Sequence, residues 1–215
     1  MQSPERLPER DTAISAMLPH VAFDGWTMRA LRAGLAGAGM PADEAALLFP
    51  LGAVDMIETF CDLADRRMED AAAALPPMRL SQRIRAVIAL RLEHGRPHKE
   101  AIRRAIAILA VPCNARAAAA CTARTVDAIW HAAGDQSADF AWYTKRAELA
   151  AIYTATVLFW LRDTSEEDAD TLGFLDRRLA MVATLNRLRH RFSAAGGRPR
   201  RLSMPRPAEA QGKPS

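Results

Sequence analysis

The 215-residue sequence is poor in the residues that build sheets and covalent cross-links. It has two tyrosines, seven phenylalanines and three cysteines against 44 alanines. Scarce aromatics beside abundant alanine favour helix over strand. Cys61, Cys113 and Cys121 are odd in number and form no CxxC. They read as buried free thiols of a reducing compartment, not as disulfides or a zinc site. The longest uncharged apolar stretch, Leu149 to Leu161, has 13 residues, whereas a spanning helix needs about 20, so a soluble protein is expected. The opening ten residues carry two glutamates and no apolar core, unlike a signal or transit peptide.

Catalytic signatures are missing as well. There is no GxSxG, GxGxxG or GxxxxGK[ST], which removes the usual serine nucleophile and phosphate-loop chemistries. No glutamate is followed by a histidine three residues on, so the ligand set of carboxylate-bridged di-iron bundles is absent. His94 and His98 are four apart, but Gly95 and Pro97 between them point to a turn. The expectation is a protein that is not an enzyme, with no metal and no cofactor.

What the chain does have is an uneven charge distribution. Its 29 Lys and Arg exceed its 25 Asp and Glu by four. Residues 1–176 hold 19 basic and 24 acidic groups, and residues 177–215 hold 10 basic and one acidic. The body is therefore acidic and the end basic, which weakens any nucleic-acid reading based on overall charge.

Helices can be placed from their punctuation. The first covers Asp11 to His20, ending against Pro19; the second covers Thr27 to Ala36; a short third follows Pro41 and stops at Phe49-Pro50. Longer ones follow at 52–75, 80–93, 99–110, 114–134, 139–162 and 164–192, the seventh capped by Asn114, the ninth by a Thr164/Glu167 capping box. The eighth is apolar on every face, which places it in the middle of a bundle. The fold class expected is all-α, a bundle of about nine helices, with disorder at 1–10, one domain at 11–192 and a basic Pro/Gly-rich disordered tail at 193–215.

Two stretches bear on partners. A short helix, a glycine turn, then Pro41 to Leu48 ahead of a long helix resembles the helix-turn-helix of TetR-type regulators. The reading segment offers Ala42, Asp43 and Glu44 where a duplex requires cations. The helix-turn-helix is degenerate and no nucleic-acid partner is expected, a TetR-type DNA-binding regulator being the alternative. Further on, Asp139, Trp142, Tyr143 and Arg146 fall at i, i+3, i+4 and i+7 and share a helical face. They are either core aromatics behind a cap or a recognition patch of hot-spot composition.

Arg124-Thr-Val-Asp-Ala-Ile-Trp130, Gly134-Asp135 and Asp139-Phe-Ala-Trp-Tyr-Thr-Lys-Arg146 together resemble the signature of the coenzyme Q biosynthesis accessory proteins, a lipid-binding family of TetR-like fold. The similarity covers roughly residues 11–180. It implies a non-catalytic protein that binds isoprenoid or phospholipid in its helical pocket, docks onto the demethoxyubiquinone hydroxylase and forms a homodimer. By that resemblance Asp139, Trp142, Tyr143 and Arg146 carry the hydroxylase-docking role. Ile129, Tyr153, Val157 and Trp160 are candidates for lining the lipid pocket, with ordinary core packing the alternative for each. Mitochondrial members place an amphipathic membrane helix after the ninth helix. Ser193 to Ser215, with four prolines and two adjacent glycines, does not match one. Membrane contact then falls to Arg187, Leu188, Arg191 and Phe192 with the arginines beyond, or else those arginines simply suit the helix dipole. The location expected is cytoplasmic, with peripheral contact on the inner face of the membrane.

Overall fold

The computed structural model describes the backbone of residues 5–134 and 141–196 and the side chains of 5–134 and 143–184. Among the described residues there are nine α-helices and no strand. They are α1 (Pro8–Asp24), α2 (Met28–Gly37), α3 (Ala45–Leu48), α4 (Ala53–Ala72), α5 (Leu80–Gly95), α6 (Lys99–Leu109), α7 (Ala115–Ala133), α8 (Ala141–Trp160) and α9 (Ala169–Gly196). Single 3-10 turns precede α3, α6, α7 and α9. The chain divides into two units, Met1–Leu179 and Ala180–Ser215. Of the second, the described part is the C-terminal stretch of α9, which continues past the expected end at Phe192 to Gly196. Residues 197–215, most of the expected tail, lie outside the described residues.

Two expectations for the N-terminus are corrected. The stretch 1–10 was expected to be disordered; residues 1–4 lie outside the described residues, but α1 starts at Pro8 and its approach is tied down by ion pairs. The Arg6 guanidinium donates to Asp62 at 2.8 Å, and buried Arg10 pairs with Asp55, donates to Thr59 at 2.9 Å and lies over the Phe49 ring. The first helix also does not stop at Pro19, which sits inside it. A mid-helix proline costs about 3 kcal/mol, but Ile14, Met17, Leu18 and Val21 are all buried on that helix. Each contributes about 1.5–3 kcal/mol, so packing outweighs the lost hydrogen bond.

Packing of α2 on α1 depends on one glycine. A Cβ on Gly34 would stand 2.7 Å from the backbone N and Cα of Met17, a separation no side chain tolerates. Thr27 caps α2 by accepting from the Ala30 N–H, and Trp26 joins this module to the rest by donating to the Ala101 carbonyl at 2.9 Å. Its ring also packs on Phe60 of α4, centroids 5.4 Å apart.

The middle of the bundle is α4 packed against α5 and α7, not α8 as its all-round apolarity suggested. α8 buries Leu149, Ile152, Thr156, Val157 and Trp160 but leaves Ala151, Thr154, Leu158 and Phe159 exposed. Two caps also differ from expectation. Asn114 makes no cap and instead donates to the Ile108 carbonyl, closing the α6–α7 turn. Asp163, not Thr164, organises the start of α9: one carboxylate oxygen accepts from the Ser165 N–H and the other from the Thr171 N–H, both at 2.8 Å. Gly134 ends α7 in the left-handed conformation, φ 80°, as a glycine stop does.

Candidate functional site: an apolar cavity with a polar inner end

Four helices leave a cavity of about 250 Å3 between them. Phe60 and Cys61 come from α4; Ile102, Ala105, Ile106 and Leu109 from α6; Cys121, Thr122 and Thr125 from α7; Tyr153, Thr154, Val157 and Leu158 from α8. It exists because small residues, Ala105 of α6, Ala110 just after it and Ala118 of α7, stand where larger side chains would close the gap. An engineered cavity of about 150 Å3 admits benzene, and drug-sized ligands occupy about 300–1,000 Å3. This one takes a ring or a few isoprene carbons, and not two acyl chains.

A buried polar cluster backs the inner wall. Arg91 of α5 donates to Asp65 of α4 at 3.0 Å, and the Thr125 hydroxyl donates to the other Asp65 oxygen at 2.8 Å. Burial raises the pKa of Asp65, while Arg91 and Thr125 pull the other way. For Arg91, burial opposes the charge, but neighbouring Tyr153 and Asp65 hold its pKa above the ordinary arginine value. Burial pushes the Tyr153 phenol up to about 12, so it stays a neutral donor. The two thiols interact: contact with Cys121 and burial raise the pKa of Cys61, whereas the same contact and the Arg124 guanidinium, 3.4 Å from the Cys121 sulfur, lower that of Cys121. Cys121 is buried, but Cys61 is half-buried and Cys113 exposed, contrary to the expectation of three buried thiols. Among the described residues no cluster of three or more His, Cys, Asp or Glu is arranged to hold a metal.

Of the four residues expected to line a lipid pocket, Tyr153 and Val157 are in this cavity wall. Ile129 and Trp160 are not. Ile129 is fully buried in α7. Trp160 packs against Gly95, whose Cβ would come within 3.2 Å of the ring, with the Lys99 ammonium over its face. Sequence reading missed the α6 wall and the Asp65–Arg91 pair. The alanine spacing of α6 and α7 and the isolated Arg91 inside an apolar helix face were the available signals.

The expected docking face is brought together only in part. Asp139 lies outside the described residues, and Trp142 is described only as backbone on α8. Tyr143 is 76% exposed. Arg146 turns back to α7, its Nε donating to the Asp127 carboxylate at 2.5 Å, a partner that spacing within α8 could not reveal. Arg187, Leu188, Arg191 and Phe192 lie on the part of α9 described as backbone alone. No single helix among the described residues is long and apolar enough to cross a membrane.

Comparison with known proteins gives a consistent picture. Residues 115–186 match the COQ9 family profile. The chain is 35% identical to "Ubiquinone biosynthesis protein coq9, mitochondrial" of Schizosaccharomyces pombe, over 80% of this chain and 69% of that protein. It is 34% identical to the human protein of the corresponding name over 83% of this chain, which corresponds to 58% of the human protein's length. A crystal structure of a TetR transcriptional regulator from Nitrosomonas europaea superposes with a TM-score of 0.66 at 27% identity, covering 82% of this chain and 99% of the other. The fold is therefore TetR-like, as the helix order implied.

Proposed function

Because this chain belongs to the COQ9 family, we propose that it serves ubiquinone biosynthesis as a non-catalytic accessory protein. It binds an isoprenoid or quinone-type lipid and presents substrate to the demethoxyubiquinone hydroxylase. The observation that carries this reading is the apolar cavity walled by α4, α6, α7 and α8. Tyr143, exposed on α8, belongs with Trp142, Arg146 and Asp139 to the hydroxylase-docking face, and Asp127 fixes the Arg146 rotamer there. A homodimer, and reversible membrane contact through the basic end of the chain from the cytoplasmic side, complete the proposal. The named relatives are mitochondrial proteins of ubiquinone biosynthesis.

The decisive experiment is genetic and biochemical together. Deleting the gene is expected to accumulate demethoxyubiquinone. The double variant Trp142→Ala/Arg146→Glu is expected to keep its helical circular dichroism and lose co-purification with the hydroxylase. A folded double variant that still captures the hydroxylase would remove the docking assignment. Normal ubiquinone levels in the deletion strain would remove the pathway assignment.

The TetR-type regulator reading has one observation in its favour, the fold shared with a regulator. Against it, the segment that would enter the major groove is reduced to a 3-10 turn, Ala42–Glu44, and the four-residue α3. It exposes Asp43, Ala46 and Leu47, groups that release no counterions from DNA. No retardation of duplex DNA is expected even at low salt.

A further inference from the structure

Tail-binding cavities in proteins usually have an apolar floor and polar lips, so that a lipid enters chain first. This cavity also carries polar groups among its buried and half-buried lining residues. At the inner end are the Tyr153 hydroxyl, Thr125 and the Cys61 and Cys121 thiols, beside the Asp65–Arg91 pair. At the mouth are Ala110, just past the end of α6, and Thr154 and Leu158 of α8, all exposed. Ile106, Ala110 and Leu158 also line a shallow apolar groove that continues over Phe159 and Phe174.

The Tyr153 hydroxyl makes no hydrogen bond to any described residue and, on a half-buried side chain, is not sealed off from the cavity space. Tyrosine hydroxyls inside proteins normally find a partner, so this one is available to a group in the cavity. Its nearest charges, Arg91 and Asp65, are engaged with each other at 3.0 Å. The inner end thus offers a neutral donor and no uncompensated charge, which suits a carbonyl or ether oxygen and does not suit a carboxylate or phosphate.

We propose that the ligand of this cavity enters head first: a neutral, oxygen-bearing ring head accepts a hydrogen bond from the Tyr153 hydroxyl at the inner end, and its tail leaves between α6 and α8 past Ala110 and Leu158. This rests on the lipid-binding reading and adds to it an orientation and a residue that sets head specificity. A volume of about 250 Å3 fits one substituted ring with little tail, and the groove outside receives the rest. Tyr153 is a specificity residue, with no chemistry of its own on the ligand.

The test measures binding of decylubiquinone, decylbenzene and decanoate to the full-length protein and to Tyr153→Phe and Leu158→Asp. Wild type is expected to bind decylubiquinone best and decanoate least. Tyr153→Phe is expected to lose about 3- to 10-fold for decylubiquinone, the worth of one neutral hydrogen bond, and nothing for decylbenzene. Its thermal midpoint should not fall, because the fold uses no bond from that hydroxyl. Leu158→Asp at the mouth is expected to weaken both apolar-tailed ligands. Unchanged decylubiquinone affinity in Tyr153→Phe, equal losses for the ring with and without oxygens, or preferred binding of decanoate would each overturn the head-first assignment while lipid binding stood. Failure of wild type to bind any of the three would overturn the lipid reading itself.

Discussion

Replacing Arg91 with leucine tests whether the buried pair behind the cavity is ionic. Arg91 and Asp65 are both under a tenth exposed, and the guanidinium and the Thr125 hydroxyl supply the hydrogen bonds that the carboxylate accepts. Arg91→Leu keeps most of the apolar volume but leaves a carboxylate in low dielectric with one hydroxyl partner. Removing one member of a buried pair costs about 3–5 kcal/mol. At about 2–4 °C per kcal/mol for a domain of this size, the thermal midpoint should fall by about 6–20 °C. The loss should depend on pH with a definite sign. In the variant Asp65 has an even higher folded pKa than the raised one it has now, so the folded state holds its proton more tightly than the unfolded state does. Stability is then retained at pH below the ordinary aspartate value and falls as pH rises through the raised one. The variant should therefore lie closer to wild type at pH 4 than at pH 8. Asp65→Leu combined with Arg91→Leu should recover much of the loss, since a buried pair replaced whole is often near neutral. Calorimetric or circular-dichroism melts at the two pH values decide it. A double variant as unstable as Arg91→Leu, with no pH trend, would refute the ionic account and leave only side-chain packing.

Two further perturbations test the frame around the site. Gly34→Ala places a methyl 2.7 Å from the Met17 backbone and should destabilise by about 3 kcal/mol or more, because α1 and α2 must separate; urea unfolding measures it, and a loss under 1 kcal/mol would mean the two helices are not in register as described. Asp163→Ala removes the acceptor for the Ser165 and Thr171 amides and should cost about 0.5–2 kcal/mol, as a lost helix cap does. Burial works against ionised Asp163, but the Ser165 and Thr171 hydrogen bonds hold its pKa below the ordinary aspartate value. The advantage of wild type should therefore be complete above about pH 4 and fade as pH falls through the lowered pKa, visible as melting curves that converge in acid.

Helix number and order were legible because prolines and glycines punctuate the chain: Pro41, Pro50, Pro76-Pro77, Pro97, Pro112 and Gly134 all fall at or beside helix ends. Pro19 misled because the cost of a helical proline is local while the compensation, burial of Ile14 and Met17 against α2, is tertiary. Asn114 and Thr164 misled for a related reason. Cap spacing says which side chains reach a free amide, and not which acceptor wins when Asp163 stands one residue away. Tyr153 and Val157 could be placed in one wall because the helical period puts them on one face. The opposite wall could not, since nothing local ties Ile102 and Ile106 to residues fifty positions on. The Arg146–Asp127 pair was hidden for the same reason.

The apolar character of α8 on every side, which suggested a central helix, has a different cause in this fold. A helix in the middle of a bundle is covered all round by its own chain. α8 covers only one side, with Leu149, Ile152 and Trp160, and turns Tyr153, Val157 and Leu158 to a cavity and its mouth. Its second apolar face is left uncovered by the rest of the fold and lines that cavity instead. The N-terminal helices follow the same logic. Their packing is tied to the site, because Trp26 holds Ala101 and Phe60, and Phe60 with Ala105 forms part of the cavity wall. The core of the helix-turn-helix thus also supports the cavity, while its outer face exposes Asp43 and Leu47.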